Sequence, residues 1–133
     1  MKLNRRKCLT LVTTVLAASM LFASGAYAKS YTTGKAGNSD TSGQVRMFTD
    51  SAWGQTTCGG GNCISYVEVT YYYKHGDASQ TRTVTKSNYS PSFGVSVTAN
   101  AEFVPAKSVR ATAYHKAEVG SATWKDYTSK YNE

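Results

Sequence analysis

The chain has 133 residues, of which 15 are basic and 8 are acidic, and its formal net charge is +7. This length allows one domain with a modest hydrophobic core, and the sequence shows no sign of a second domain. The sequence contains no internal repeat and no coiled-coil heptad, which excludes solenoid and fibrous proteins.

The N-terminal segment has the three parts of a secretory signal peptide. A basic stretch, MKLNRRK, precedes an apolar run over residues 9–23 that is too short to span a bilayer, and Ala26 and Ala28 form an Ala-x-Ala cleavage site. We predict that residues 1–28 are removed before Lys29. The mature protein is then secreted and extracellular, with no membrane span.

Removal of this segment changes the charge of the protein. Loss of Lys2, Arg5, Arg6 and Lys7 leaves 11 basic and 8 acidic side chains, a net charge of +3. The remaining basic residues are scattered and form no run, so no nucleic-acid partner is predicted. A mildly basic protein is attracted to anionic surfaces such as a bacterial envelope.

The mature chain divides into two parts. Residues 29–43, KSYTTGKAGNSDTSG, contain one aromatic side chain among small and polar ones. Such a composition buries too little apolar surface to offset the entropy lost on ordering, so we predict a flexible N-terminal arm. Residues 44–133 are predicted to form one β-sandwich domain.

The cysteines of TTCGGGNCIS predict a local disulfide. Cleavage removes Cys8 and leaves Cys58 and Cys63, and an exported pair favours a bridge that stabilises the fold by roughly 2 kcal/mol. The run Gly59–Gly61 is expected to supply the positive φ angles of the small ring. The spacing does not fit a zinc finger, a phosphate-binding loop or a Cys-x-x-Cys redox motif, so no metal and no cofactor is predicted.

The stretch SYVEVTYYYK has an apolar period of two, which predicts a half-buried strand. One face carries Val67, Val69, Tyr71 and Tyr73, and the other carries Tyr66, Glu68, Thr70, Tyr72 and Lys74. A glycine-containing loop, HGDA, and the Thr-rich stretch SQTRTVTK follow. Residues 64–86 are therefore predicted to form a β-hairpin.

Similar alternation in QVRMFTD, FGVSVTAN, SVRATAYHKA and ATWKDYTSKY brings the number of predicted strands to six. An all-β fold, a small antiparallel β-sandwich, buries the single apolar face of such strands, with a small β-barrel as the alternative. Ala111 and Ala113 are expected to leave room for large rings such as Tyr71, Tyr73 or Trp124.

No catalytic motif is evident. A nuclease set could be assembled from Glu68, Glu102, His115, Arg82 and Arg110, but no spacing links these residues, and no Gly-x-Ser-x-Gly motif is present. We therefore expect that the protein is not an enzyme. Of the two histidines, the one at position 75 is predicted in a hairpin turn, and the one at 115 is predicted as a buried neutral imidazole.

The outward face of the hairpin is the predicted binding surface. Tyr66, Tyr72 and Lys74 are expected to point outward. Arg82 and Lys86 occupy even-numbered positions on the neighbouring strand and are expected to point the same way. Tyrosines between cations suit a cell-wall polymer or another envelope component. Tyrosine is also common in strands that bind no ligand, and the sequence leaves this alternative open.

The cleaved leader, the basic mature chain, the β pattern and the late segment VRATAYHKAEVGSATWKDYT together resemble lactococcin-type bacteriocin precursors, small secreted proteins of Gram-positive bacteria. The resemblance implies a non-enzymatic β-sandwich that acts by binding at the bacterial cell envelope, as a bacteriocin-like antagonist. Two alternatives remain: a surface or matrix module of the producer, and a small secreted enzyme or enzyme inhibitor. The sequence leaves target and oligomeric state open.

We expect culture supernatant to contain a species that begins at Lys29, because cleavage follows the Ala-x-Ala site. N-terminal analysis of the secreted protein checks this. Retention of Met1 on the secreted protein would contradict the prediction.

Overall fold

The computed structural model describes residues 29–132, so the predicted signal peptide lies outside the described residues. The regular structure in this part of the chain consists of eight β-strands, without a helix. In chain order they are β1 Tyr31–Ala36, β2 Ser39–Met47, β3 Ser51–Cys58, β4 Cys63–His75, β5 Thr81–Ser90, β6 Gly94–Asn100, β7 Ala106–Val119 and β8 Ala122–Tyr131.

The strands form two antiparallel four-stranded sheets. The first sheet has the order β1-β2-β3-β6 and the second has the order β5-β4-β7-β8. Apolar side chains of both sheets meet in one buried cluster, so the sheets pack face to face. The predicted antiparallel β-sandwich is confirmed, with eight strands instead of six. The strands do not close into the alternative barrel, because β1 and β6 end one sheet and β5 and β8 end the other.

The segment expected as a flexible arm is instead part of the first sheet. Residues 29–43 form β1 and the first half of β2, and Thr32, Ala36 and Thr41 are buried. The prediction of a flexible arm is wrong because ordering here needs small inward side chains and backbone pairing, not large apolar residues. The strand β3 was also not predicted, because its inward residues are small as well.

The predicted inward face of β4 is confirmed. Val67, Val69, Tyr71 and Tyr73 are fully buried. The two inward tyrosine rings stack with their centroids 5.4 Å apart, and Ala111 lies opposite Tyr71 on β7. Small alanines beside large rings therefore fill the core, as expected from close packing.

Three glycines of the first sheet allow its close approach to the second. A Cβ atom on Gly43 would overlap the His115 ring, and one on Gly54 would overlap a methyl group of Val69. Gly34 lies in the same way against an indole ring of β8. At these positions the absence of a side chain is a packing requirement.

The predicted disulfide is present between Cys58 and Cys63, which end β3 and begin β4. The expected source of the positive φ angles is only partly right. Within the ring these angles occur at Gly60 and Asn62, with φ of 121° and 62°, and not at Gly59 or Gly61. Asparagine supplies one of them because its short polar side chain tolerates the left-handed region.

We expect Gly43→Ala to destabilise the protein by about 1–3 kcal/mol, since the added methyl group must displace the buried His115 ring. Urea unfolding measures the change. The matched control is Gly61→Ala, where an added Cβ meets nothing within 4 Å and stability should be kept. Equal stability of the two variants would contradict the packing role of Gly43.

Candidate binding face

Three of the predicted binding residues lie on the outer face of the second sheet. Tyr66, Tyr72 and Lys74 alternate with the buried residues of β4 and are half-buried. The two tyrosines are six residues apart on one strand, which corresponds to about 20 Å. They therefore belong to different parts of the face.

The two predicted cations of β5 lie on the opposite side of the sheet, so their assignment to the outer face is wrong. Arg82 is paired with Tyr73, and Lys86 is paired with Val69, both of which point inward. Each pair in this hairpin joins an even-numbered residue to an odd-numbered one, so residues of like parity face opposite ways. The Arg82 guanidinium lies 4.4 Å from the centroid of the Phe103 ring.

Four tyrosines gather on the outer face at the end near the disulfide. Strand pairing joins β5, β4, β7 and β8 in adjacent rows here. We call this group, with one lysine, the tyrosine cluster: Tyr66, Tyr89, Tyr114, Tyr127 and Lys116.

Three rings of the tyrosine cluster, those of Tyr66, Tyr114 and Tyr127, form a continuous aromatic surface. The Tyr114 ring lies 6.0 Å from the Tyr66 ring and 5.0 Å from the Tyr127 ring. Tyr89 is 67% exposed and Tyr127 is 40% exposed. Between β5, β4 and β7 the surface contains a depression of about 390 Å³, which can accept part of a ligand.

Burial and polar contacts determine the protonation states of the tyrosine cluster. The Tyr66 hydroxyl donates a hydrogen bond of 3.0 Å to Glu68, and the Lys116 ammonium lies 2.6 Å from a carboxylate oxygen of Glu118. Burial raises the pKa of Tyr66 and of Tyr114, and the hydrogen bond to Glu118 raises the pKa of Lys116. At neutral pH the phenols are thus uncharged and the lysine is cationic.

A second group, which we call the arginine cluster, lies toward the opposite end of the outer face and consists of Tyr72, Arg110 and Tyr131. The guanidinium carbon of Arg110 is 4.1 Å from the Tyr72 ring centroid and 5.9 Å from that of Tyr131. These are cation–π distances. A depression of about 460 Å³ adjoins these residues.

A row of hydroxyl groups separates the two clusters. It crosses all four strands of the sheet and consists of Thr85, Thr70, Thr112 and Ser129. The side-chain oxygens of Thr70 and Thr85 lie 3.1 Å apart. We call these residues the hydroxyl row. Each hydroxyl can donate and accept a hydrogen bond.

Sequence reasoning missed most of this surface. The alternation in SVRATAYHKA puts Tyr114 and Arg110 on one face of β7, but only strand pairing shows that they lie beside Tyr66 and Tyr72. Tyr127 and Tyr131 on β8 complete the two clusters, and no motif marks them. The signal in the sequence was that aromatic residues occupy the outward-facing alternate positions of several strands.

His115 and Glu68, two of the residues considered for nuclease chemistry, do not meet. His115 is fully buried inside the sandwich, whereas Glu68 lies on the outer face of the same sheet. Within residues 29–132, no group of three or more His, Cys, Asp and Glu side chains is placed to hold a metal ion. The described part of the chain also lacks any helix long and apolar enough to cross a membrane. No family model, no curated protein and no solved structure matches this chain.

The buried His115 ring is held by hydroxyl groups from both sheets. Its Nδ1 lies 2.9 Å from Thr56 Oγ1, and its Nε2 lies 2.7 Å from Thr128 Oγ1. Burial lowers the pKa of His115 to about 4, against a smaller opposing effect of Asp126. The predicted buried, hydrogen-bonded and neutral imidazole is confirmed.

This environment predicts a loss of stability in mild acid. The unfolded chain protonates His115 near pH 6.5, whereas the folded chain does so only near pH 4. Between these values the unfolded state binds more protons, so the free energy of unfolding should fall by about 3 kcal/mol as the pH decreases from 6.5 to 4. Urea unfolding across this range measures the slope.

The control separates His115 from other titrating groups. His115→Gln should flatten the slope, whereas His75→Gln should keep the slope of the unaltered protein because His115 is still present. Burial by itself raises the pKa of Asp126, but its hydrogen bonds with Thr32 and Lys29 outweigh burial and lower that pKa. The contribution of Asp126 to the free energy of unfolding therefore changes at a lower pH. An unchanged slope in His115→Gln would exclude this residue as the cause.

Proposed function

We propose that the protein acts by binding, without a chemical step, to a polymer of the bacterial cell envelope. The observation that carries this proposal is the tyrosine cluster, which combines exposed aromatic rings with a lysine on one sheet face. The first sheet packs on the opposite, inner side, so none of the eight described strands covers this face. An uncovered aromatic patch of this kind is typical of an interaction site.

The position of the titratable groups supports binding in preference to hydrolysis. Acid–base catalysis needs its acid and base within reach of one substrate. Here the buried ring of His115 and the carboxylate of Glu68 lie on opposite sides of the second sheet. On the outer face, Glu68 accepts a hydrogen bond from Tyr66, which orients an aromatic ring.

The balance of charge and aromatic area indicates which contacts supply affinity. A net charge of +3 for residues 29–133 attracts an anionic envelope only weakly. At physiological salt, electrostatic attraction between exposed charges is screened beyond about 8 Å. The tyrosines must therefore supply much of the specific affinity, because burying a ring removes a large apolar area from water.

We expect the double variant Tyr89→Ser, Tyr127→Ser to lose most retention on isolated cell walls at unchanged stability. Both rings are exposed, so their removal takes away contact area and leaves the core intact. A wall pull-down measures retention, and thermal melts of the same samples measure stability. Tyr31→Ser is the matched control, because Tyr31 is 54% exposed but belongs to the first sheet.

Retention of the double variant equal to that of the unaltered protein would remove the tyrosine cluster from the function. Equal losses in the double variant and in Tyr31→Ser would show that any exposed tyrosine contributes, which also contradicts a specific face. Walls of the producer and of other bacteria, tested side by side, distinguish a module of the producer's own surface from an antagonist.

A further inference from the structure

The two clusters of the outer face lie in line along the strands. Tyr127 of the tyrosine cluster and Tyr131 of the arginine cluster are four residues apart on β8 and point to the same side. Four residues of a strand correspond to about 13 Å. One sugar ring cannot contact both tyrosines, whereas several rings linked in a line can.

From this alignment we infer that the ligand of the outer face is a linear acidic glycan that lies along the strands and contacts both clusters at once. This inference rests on the proposed function and specifies its ligand. Tyr127 and Tyr131 are 40% and 43% exposed, so each offers a ring face on which the C–H side of a sugar can stack.

The hydroxyl row suits the middle of such a ligand. Thr70 and Thr112 are paired neighbours midway between the two clusters, and both are half-buried on the outer face. A sugar carries hydroxyl groups all around its ring, and threonine hydroxyls can both donate to them and accept from them. A purely apolar ligand would exclude water from these hydroxyl groups and leave Thr70 only its contact with Thr85, which disfavours such a ligand.

The charges of the face favour acidic sugars. Lys125 is exposed and lies opposite Lys116, and Arg110 forms the centre of the arginine cluster. Near the tyrosine cluster, the carboxylates of Glu68 and Glu118 are balanced by Lys116 and Lys125, and Glu118 pairs directly with Lys116. A carboxylate-bearing glycan therefore meets excess positive charge at the arginine cluster and the exposed ammonium of Lys125 beside the tyrosine cluster.

The test uses oligomannuronates, which are linear and carry one carboxylate per sugar, with cello-oligosaccharides of equal length as neutral controls. Titration calorimetry with the purified protein should show at least tenfold tighter binding of the acidic hexasaccharide than of the acidic disaccharide. Tyr127→Ser and Tyr131→Ser should each weaken hexasaccharide binding by about three- to tenfold, the effect of losing one stacked ring. Neither change should affect disaccharide binding as strongly.

The inference is overturned by equal affinity for the two lengths, by no effect of Tyr131→Ser, or by equal affinity for the neutral hexasaccharide. Tighter binding of a single-stranded oligonucleotide than of the acidic hexasaccharide would also overturn it. Retention on isolated cell walls, measured in parallel, tests the proposed function separately. Protein that is retained on walls through the tyrosine cluster but shows no preference for long acidic glycans keeps the function and loses the inference.

Discussion

The close approach of the two sheets at three glycines is the constraint on which this structure depends. Gly34, Gly43 and Gly54 lie on the inner face of the first sheet, where the second sheet presents an indole, an imidazole and a valine. A pair of sheets with ordinary side chains at all inner positions would stand farther apart. The close approach brings Thr56 of the first sheet within hydrogen-bonding distance of His115, so the buried ring is bonded from both sides.

This division of large and small residues explains which parts of the fold the sequence could predict. The second sheet carries Val67, Val69, Tyr71 and Tyr73, and their period of two is plain. In β1 and β3 of the first sheet the inward positions hold mainly glycine, alanine and threonine, whose alternation does not show in a search for apolar faces. The strands β1 and β3 were missed for this reason, although they complete the packing.

The binding face was predictable only in part, because a face is a property of paired strands. Tyr66 and Tyr72 were placed on the correct side from β4 alone. The side taken by Arg82 depends on the hairpin register, which is determined by the number of loop residues between β4 and β5. The partners Tyr114 and Tyr127 come from strands far away in the sequence, and only the sheet order brings them together.

The inward register of Arg82 and Lys86 also affects how copies of the protein meet. The strand β5 ends its sheet, spans Thr81–Ser90 and is exposed at most positions, so its free backbone groups could pair with a strand of another molecule. Two inward cations oppose such edge-to-edge pairing, because a sheet continued across two molecules would have to bury them between layers. We therefore expect Arg82 and Lys86, which do not belong to the binding face, to oppose fibre formation by this protein.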